Sequence, residues 1–392
     1  MAEPMLLVGQ SGGPTPVINA SLAGLLDEAA RLDAFPRLAG LRHGIEGALA
    51  GDLIPLHGLG AAEREALART PAAALGSCRR KLEPADDARI LDTFRRHEVR
   101  WFCYIGGNDS MDTCDRLAGA AAEAGLDLKV WGIPKTIDND LVATDHCPGY
   151  GSAARYWAVS TQEATLDLAA MRTYDRVLIQ ETMGRNAGWL TAACALYKAD
   201  ERDGPHVLLT PERVFEPDAF LAQVEGALRR IGYCVVATAE TIRDAGGEYV
   251  ALGRGGVDRF GHPIVTAVGE TLAQLVGGGL GVKARVNKPG TFQRTSVLHV
   301  SPVDFQEAWR AGQEAARRLA RGESGGMVTL TRTDLGGYRC EYGVVALREV
   351  ANRERRLPEA YLAPDAAGVT TAFLDYARPL LGPAPLPLFR LA

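Results

Sequence analysis

Short apolar runs alternate with amphipathic stretches along most of the chain. The runs MLLVG, VRWFCYIGG, LKVWGIP, DRVLIQE, HVLLTPE and YCVVATAE are almost continuously hydrophobic and end near glycine, proline or an acid. Such runs suit strands buried on both faces, which lie parallel and hand over to loops at their carboxyl ends. Between them, PVINASLAGLLDEAARL, ADDARILDTFRRH, SMDTCDRLAGAAAEAG and EPDAFLAQVEGALRRIG repeat apolar residues at spacings of three and four, which predicts helices. The alternation predicts an α/β fold with mainly parallel sheets and right-handed crossovers, and it places ligands at the carboxyl ends of the strands.

At 392 residues the chain exceeds one ordinary core and suits two domains. A change of register near LVATDHCPGYGSAARY sets the expected boundary. Residues 1–147 then form a first domain completed by later segments, 148–325 a second, and 326–392 a carboxyl-terminal segment packed on both. The glycine-dense LVGGGLGVKARVNKPGTFQRT reads as a crossover or a loop, and the proline-rich GPAPLPLFRLA as an irregular surface segment.

Composition narrows the function. Hydrophobic residues make up 47% and charged residues 23%, with a net charge of -5, so nothing calls for nucleic acid. Two basic clusters stand out, SCRRKL and ANRERRL; the second reads as a solvated helix end. The seven cysteines are scattered without a CxxC pair, as reduced thiols in a cytoplasmic protein would be. The opening MAEPMLLVGQSGG lacks the pattern of a secretory leader, and no run approaches the roughly 20 apolar residues of a membrane span. HExxH, GxSxG and zinc-ligand spacings are absent.

Four loops gather polar residues after predicted strands. Gly12 and Gly13 follow the first run, as an anion cradle or a tight turn. Asn108, Asp109 and Ser110 follow Gly106 and Gly107; helix capping needs only one of the three. A carboxylate there is unexpected, because it would repel a phosphate held by such a turn. Lys135, Thr136, Asp138, Asn139 and Asp140 crowd one loop, as a polar turn or as a base and cation for phosphoryl transfer. Met183, Gly184 and Arg185 precede a helix start. Arg176, Arg285, Gln293 and Arg294 are candidate phosphate ligands or surface ion-pair partners.

Taken together, GGPTPVINA, GGNDS, PKTIDND, MGR and QR resemble the phosphofructokinase family in order and spacing, over residues 5 to about 360. The resemblance implies two similar α/β domains with the site between them. It implies Asp138 as general base toward the sugar's 1-hydroxyl, Thr136 against the transferred phosphoryl group, and Asp140 orienting the site. Gly12, Arg79 and the turn Gly107, Asn108, Asp109, Ser110 would hold the donor. Met183, Gly184, Arg185 and Glu240 would hold the sugar, and Arg285, Thr291 and Arg294 would surround its 6-phosphate. Arg176 would come from a neighbouring subunit of a homodimer or homotetramer.

In ATP-dependent members, glycines stand where this chain has Asp109 and Lys135; pyrophosphate-dependent members carry this pair. A carboxylate about 4 Å from a nucleotide's α-phosphate would cost roughly 4 kcal/mol at an effective dielectric of 20, a factor near a thousand. Lys135 would instead meet the leaving phosphate. The implied reaction is reversible phosphorylation of fructose 6-phosphate by pyrophosphate with Mg²⁺. The alternatives are an ATP-dependent kinase, a catalytically silent regulatory subunit, and sedoheptulose 7-phosphate as acceptor. Asn108 departs from the family's metal-binding aspartate. Ala23 and Asp27 replace effector-binding arginines of bacterial allosteric members, so no nucleotide activation is expected there.

Overall fold

The computed structural model describes residues 3–257, 263–265, 267–333, 337–364, 368–385 and 388–390. Thirteen strands are present among them: β1 (Met5–Gln10), β2 (Arg37–Leu41), β3 (Leu53–Pro55), β4 (Val99–Gly106), β5 (Lys129–Pro134), β6 (Val177–Thr182), β7 (Val207–Leu209), β8 (Cys234–Ala239), β9 (Leu252–Val257), β10 (Pro263–Val265), β11 (Ala284–Asn287), β12 (Gly326–Thr333) and β13 (Arg339–Ala346). A seven-stranded sheet has the order β13-β12-β5-β4-β1-β2-β3, a four-stranded sheet the order β11-β6-β8-β7, and β9 pairs with β10. Every pairing in the four-stranded sheet is parallel. The larger sheet is parallel from β12 to β2, with β13 and β3 added antiparallel at its edges.

The apolar runs are continuous because both sheet faces are covered. On β1, Met5 and Leu7 enter one core cluster while Leu6 and Val8 enter another. On β4, Phe102 and Tyr104 likewise face away from Cys103 and Ile105. The chain leaves this sheet after β5, builds the smaller one, and returns with the helix Pro302–Ala320 and strands β12 and β13. Ser301 caps that helix by accepting hydrogen bonds from the Val303 and Asp304 N–H groups at 3.2 and 3.3 Å.

Several expectations change. The glycine-dense segment is neither a loop nor a bare crossover. It contains the last turns of the helix Val268–Leu280, strand β11 and a short helix, Phe292–Thr295. Ala23 is buried and Asp27 pairs with Arg64 at 3.4 Å, so the first helix offers its neighbours packing and an ion pair there. The tail includes the helix Thr371–Ala377 with Phe373 buried; in the proline-rich end, Leu386, Pro387, Leu391 and Ala392 lie outside the described residues. No helix among the described residues is long and apolar enough to cross a membrane.

Candidate active site

In the larger sheet the chain runs from β1 to β2 on one side, whereas β4 lies on the other. This reversal opens a crevice at the carboxyl ends of β1, β4 and β5. The loops after β6 and β8 of the smaller sheet close it into a cleft of about 760 Å³. Gly12, Arg79, Gly107, Asn108, Asp109, Ser110, Lys135, Thr136, Asp138, Asp140, Met183, Arg185, Glu240 and Arg294 line it together.

Two cations approach the first loop closely. The Lys135 ammonium donates to the Gly13 carbonyl at 2.9 Å. A Cβ at Gly13 would stand 2.8 Å from Nη1 of Arg294, so the guanidinium lies close against this glycine. Burial pushes Lys135 down to about 8, opposed chiefly by the attraction of Asp138.

The second loop starts a helix, Asn108–Glu123, with Gly107 at its N-cap. The capping reading of Asn108, Asp109 and Ser110 is therefore corrected: no side chain caps this helix. Asn108 instead donates its amide N–H to the Arg353 carbonyl, and its Oδ1 is buried without a protein partner. Asp109 is exposed to the cleft in the helix's first turn.

The third loop turns at Asn139, which has a positive φ of 55°, a conformation asparagine tolerates better than most residues. Its side chain accepts from the Cys147 N–H at 3.0 Å and donates to the Tyr376 hydroxyl at 2.9 Å. Asp138 and Asp140, on either side, each have an Oδ1 that is buried and unpartnered. Burial, followed by the charges of Asp140 and Glu240, holds the Asp138 carboxyl well above the usual carboxylate range. Asp140 shifts upward too, chiefly by burial.

After β6 of the smaller sheet, Gly184 has φ 118°, and a Cβ there would meet the Ala187 carbonyl at 2.6 Å. Its N–H donates to Glu240 Oε1 at 3.3 Å, while the Met183 N–H donates to Gln293 Oε1 at 2.9 Å. Gln293 is buried and also accepts from the Trp157 indole. Thus Gln293 fixes the Met183 loop and its neighbour Arg294 reaches the cleft. Burial also raises Glu240.

Arg176, Arg285 and Thr291 are not among the residues lining the cleft. Arg176 Nε donates to the Gly232 carbonyl, Arg285 pairs with Asp175 at 2.6 Å, and Thr291 is exposed. The sequence reading also passed over cleft residues: Arg80, Asn186, Tyr249, Asn352 and Glu354. The ANRERRL cluster follows the helix Leu347–Val350, and Asn352, Arg353, Glu354 and Arg356 are exposed as a solvated helix end would be, but one residue departs from that reading. Its Arg355 is partly buried, with its guanidinium 4.6 Å from the Trp189 ring centre. An apolar neighbour such as Leu357 in the run was the only cue, and it did not single out one arginine.

A sequence model of the family described as phosphofructokinase matches residues 5–319. A Xanthomonas campestris protein named pyrophosphate–fructose 6-phosphate 1-phosphotransferase is 43% identical, over 98% of this chain and 94% of its own. An Alkalicoccus urumqiensis protein named sulfofructose kinase is 36% identical, over 91% of each chain. The crystal structure of a pyrophosphate-dependent phosphofructokinase from Marinobacter aquaeolei superposes with a TM-score of 0.88 at 35% identity, covering 99% of this chain and 94% of that one. With its crevice at the β1–β4 reversal and these relatives along its length, the chain belongs to the phosphofructokinase family.

Proposed function

We propose that the cleft transfers a phosphoryl group from pyrophosphate to the 1-hydroxyl of fructose 6-phosphate, giving fructose 1,6-bisphosphate and phosphate reversibly. The observation that carries this reading is the pair Asp109 and Lys135 on adjoining loops of one cleft. The Lys135 N–H donates to the Gly106 carbonyl at 2.9 Å, and a Cβ on Gly107 would stand 3.6 Å from the Lys135 carbonyl. The donor turn and the base loop are thus packed together. A carboxylate at 109 disfavours a third phosphate, and a buried ammonium at 135 favours a short, highly charged donor.

Asp138 takes the proton of the 1-hydroxyl as that oxygen forms its bond to the terminal phosphorus. The bond from that phosphorus to the bridging oxygen breaks, and inorganic phosphate leaves with its electron pair. Lys135 and Arg79 balance the charge of the leaving group, and Arg185 steadies the phosphoryl group in transit with Thr136. Asp140 orients Asp138, and Glu240 with Met183 and Gly184 holds the sugar. Oxygen donors without partners at Asn108 and Asp140 fit a hard cation, and these residues would hold Mg²⁺. When bound, Mg²⁺ supplies charge neutralisation to the phosphates. Residues 1–147 would serve the donor and 148–325 the acceptor.

Arg176, Arg285 and Thr291 would complete the 6-phosphate pocket of a neighbouring subunit, since they stand off this chain's own cleft. The test supplies fructose 6-phosphate and Mg²⁺ with either pyrophosphate or ATP and follows the bisphosphate. Product with pyrophosphate alone is expected; product with ATP alone overturns the reading of Asp109 and Lys135. Sulfofructose, offered beside fructose 6-phosphate, decides whether the acceptor is that of the Alkalicoccus relative's name.

A further inference from the structure

Asp138 is poorly anchored by its own side chain, because Oδ1 has no hydrogen-bond partner in the protein. Its position follows its backbone, whose N–H donates to Thr136 Oγ1 at 3.1 Å, and one distant residue grips the chain immediately after it. Arg355 Nε and Nη2 donate to the Asn139 carbonyl at 3.2 and 2.8 Å. Its Nη1 donates to the Thr144 carbonyl at 3.0 Å and to the Asp145 carbonyl. Its own N–H donates to the Asp140 carbonyl at 2.7 Å. The guanidinium lies over Trp189, whose indole N–H donates to the Arg355 carbonyl at 3.3 Å.

The preceding residues reach the other loops. Asn352 donates to Asp112 Oδ1 at 2.7 Å, and the Arg353 carbonyl accepts from Asn108 on the donor turn. Glu354 Oε2 accepts from Asn186, just beyond the Met183–Arg185 loop, at 2.8 Å. Four consecutive residues therefore join the donor turn, the base loop and the acceptor loop. This gives Asn108 a physical role: an ionised aspartate could not donate to the Arg353 carbonyl.

We propose that Asn352–Arg355 is a strap that sets the relative position of these three loops, with Arg355 the positioning residue for Asp138. The proposal rests on the reading of Asp138 as the base. A planar fork suits the task because it serves several carbonyls at fixed angles, and a lysine ammonium would not reproduce them.

The test compares Arg355→Met and Arg355→Lys with the unaltered protein and with Asp138→Asn. Arg355→Met is expected to lower kcat by about 10- to 100-fold, as a misplaced catalytic group does, with KM for both substrates within about threefold. Arg355→Lys should recover only part of the rate. A folded Arg355→Met with unchanged kcat, or with KM raised by as much as kcat falls, overturns the proposal, as does full rescue of kcat by Arg355→Lys. Asn352→Gly removes the hydrogen bond to Asp112 at the exposed end of the strap and suits the positive φ of 59° at that position. It should cost about two- to fivefold in kcat at constant KM; no change in kcat overturns the strap even if the Arg355 variants do not fold. An active Asp138→Asn would instead sink the base assignment, so the two failures are distinguishable.

Discussion

At the scale of single residues, the cleft holds charge that folding alone would not choose. Asp138 and Asp140 share one loop with unpartnered oxygens, and burial plus mutual repulsion raises the Asp138 carboxyl. Before substrate arrives, the folded chain binds that proton more tightly than the unfolded chain does. Stability therefore falls as pH rises from the unfolded carboxylate value, near 3.8, toward the raised folded value. Asp138→Asn removes this dependence. Its melting temperature should equal that of the parent at pH 4 and exceed it by on the order of 2–5 °C at pH 8. Turnover should meanwhile fall by about 10²–10⁴, as expected for loss of a general base. Equal melting curves at both pH values would show that the pair is not strained. Asp140→Asn tests the same electrostatics kinetically. Removing the neighbouring negative charge lowers the Asp138 value, so the acid limb of kcat/KM should move to lower pH, whatever the loss in rate.

At the scale of elements, helix Ile18–Leu32 and helix Pro302–Ala320 meet through small residues, and the contact joins the start of the chain to its return into the large sheet. A Cβ on Gly24 would stand 2.0 Å from the Trp309 carbonyl oxygen, and one on Gly312 would stand 1.9 Å from that of Ser21. Two principles give opposite signs for Gly312→Ala. Helix propensity favours alanine by about 1 kcal/mol. Overpacking against rigid backbone costs roughly 1–3 kcal/mol. Because the obstacles are backbone atoms, packing should prevail and the denaturant midpoint should fall; a higher midpoint would mean that the helices slide apart at little cost. Neither glycine stood out in the sequence, since a helical glycine is meaningful only beside its partner. By contrast, β1, β4, β5, β6 and β8 were legible as apolar runs, and the loops after them as chemistry, because buried parallel strands leave both signs locally. Arg355 was not legible: its partner Asn139 lies 216 residues away, and a basic cluster looks alike whether it meets water or three carbonyls.

At the scale of the whole molecule, the cleft is built from the strand ends of both sheets, with Arg294, which follows β11 of the smaller sheet, reaching Gly13 beside the larger. Yet Arg176, Arg285 and Thr291 stand outside this cleft. Along the same stretches of chain, Tyr174, Phe292 and Leu298 are 72%, 70% and 88% exposed. If a second copy covers them, each cleft borrows Arg176 from its neighbour, and two different lesions can then complement. Asp138→Asn damages the cleft of its own chain, whereas Arg176→Ala damages the partner's. A mixed dimer would carry one cleft with both lesions and one with neither. Co-expression at equal levels makes about half of all dimers mixed, so about a quarter of parental activity should return although each variant alone is nearly inactive. Leu298→Glu should abolish the recovery by placing a charge where the copies meet, and it should lower affinity for the sugar phosphate more than for pyrophosphate. Co-expressed variants no more active than their parents would mean that Arg176 works, if at all, within its own chain.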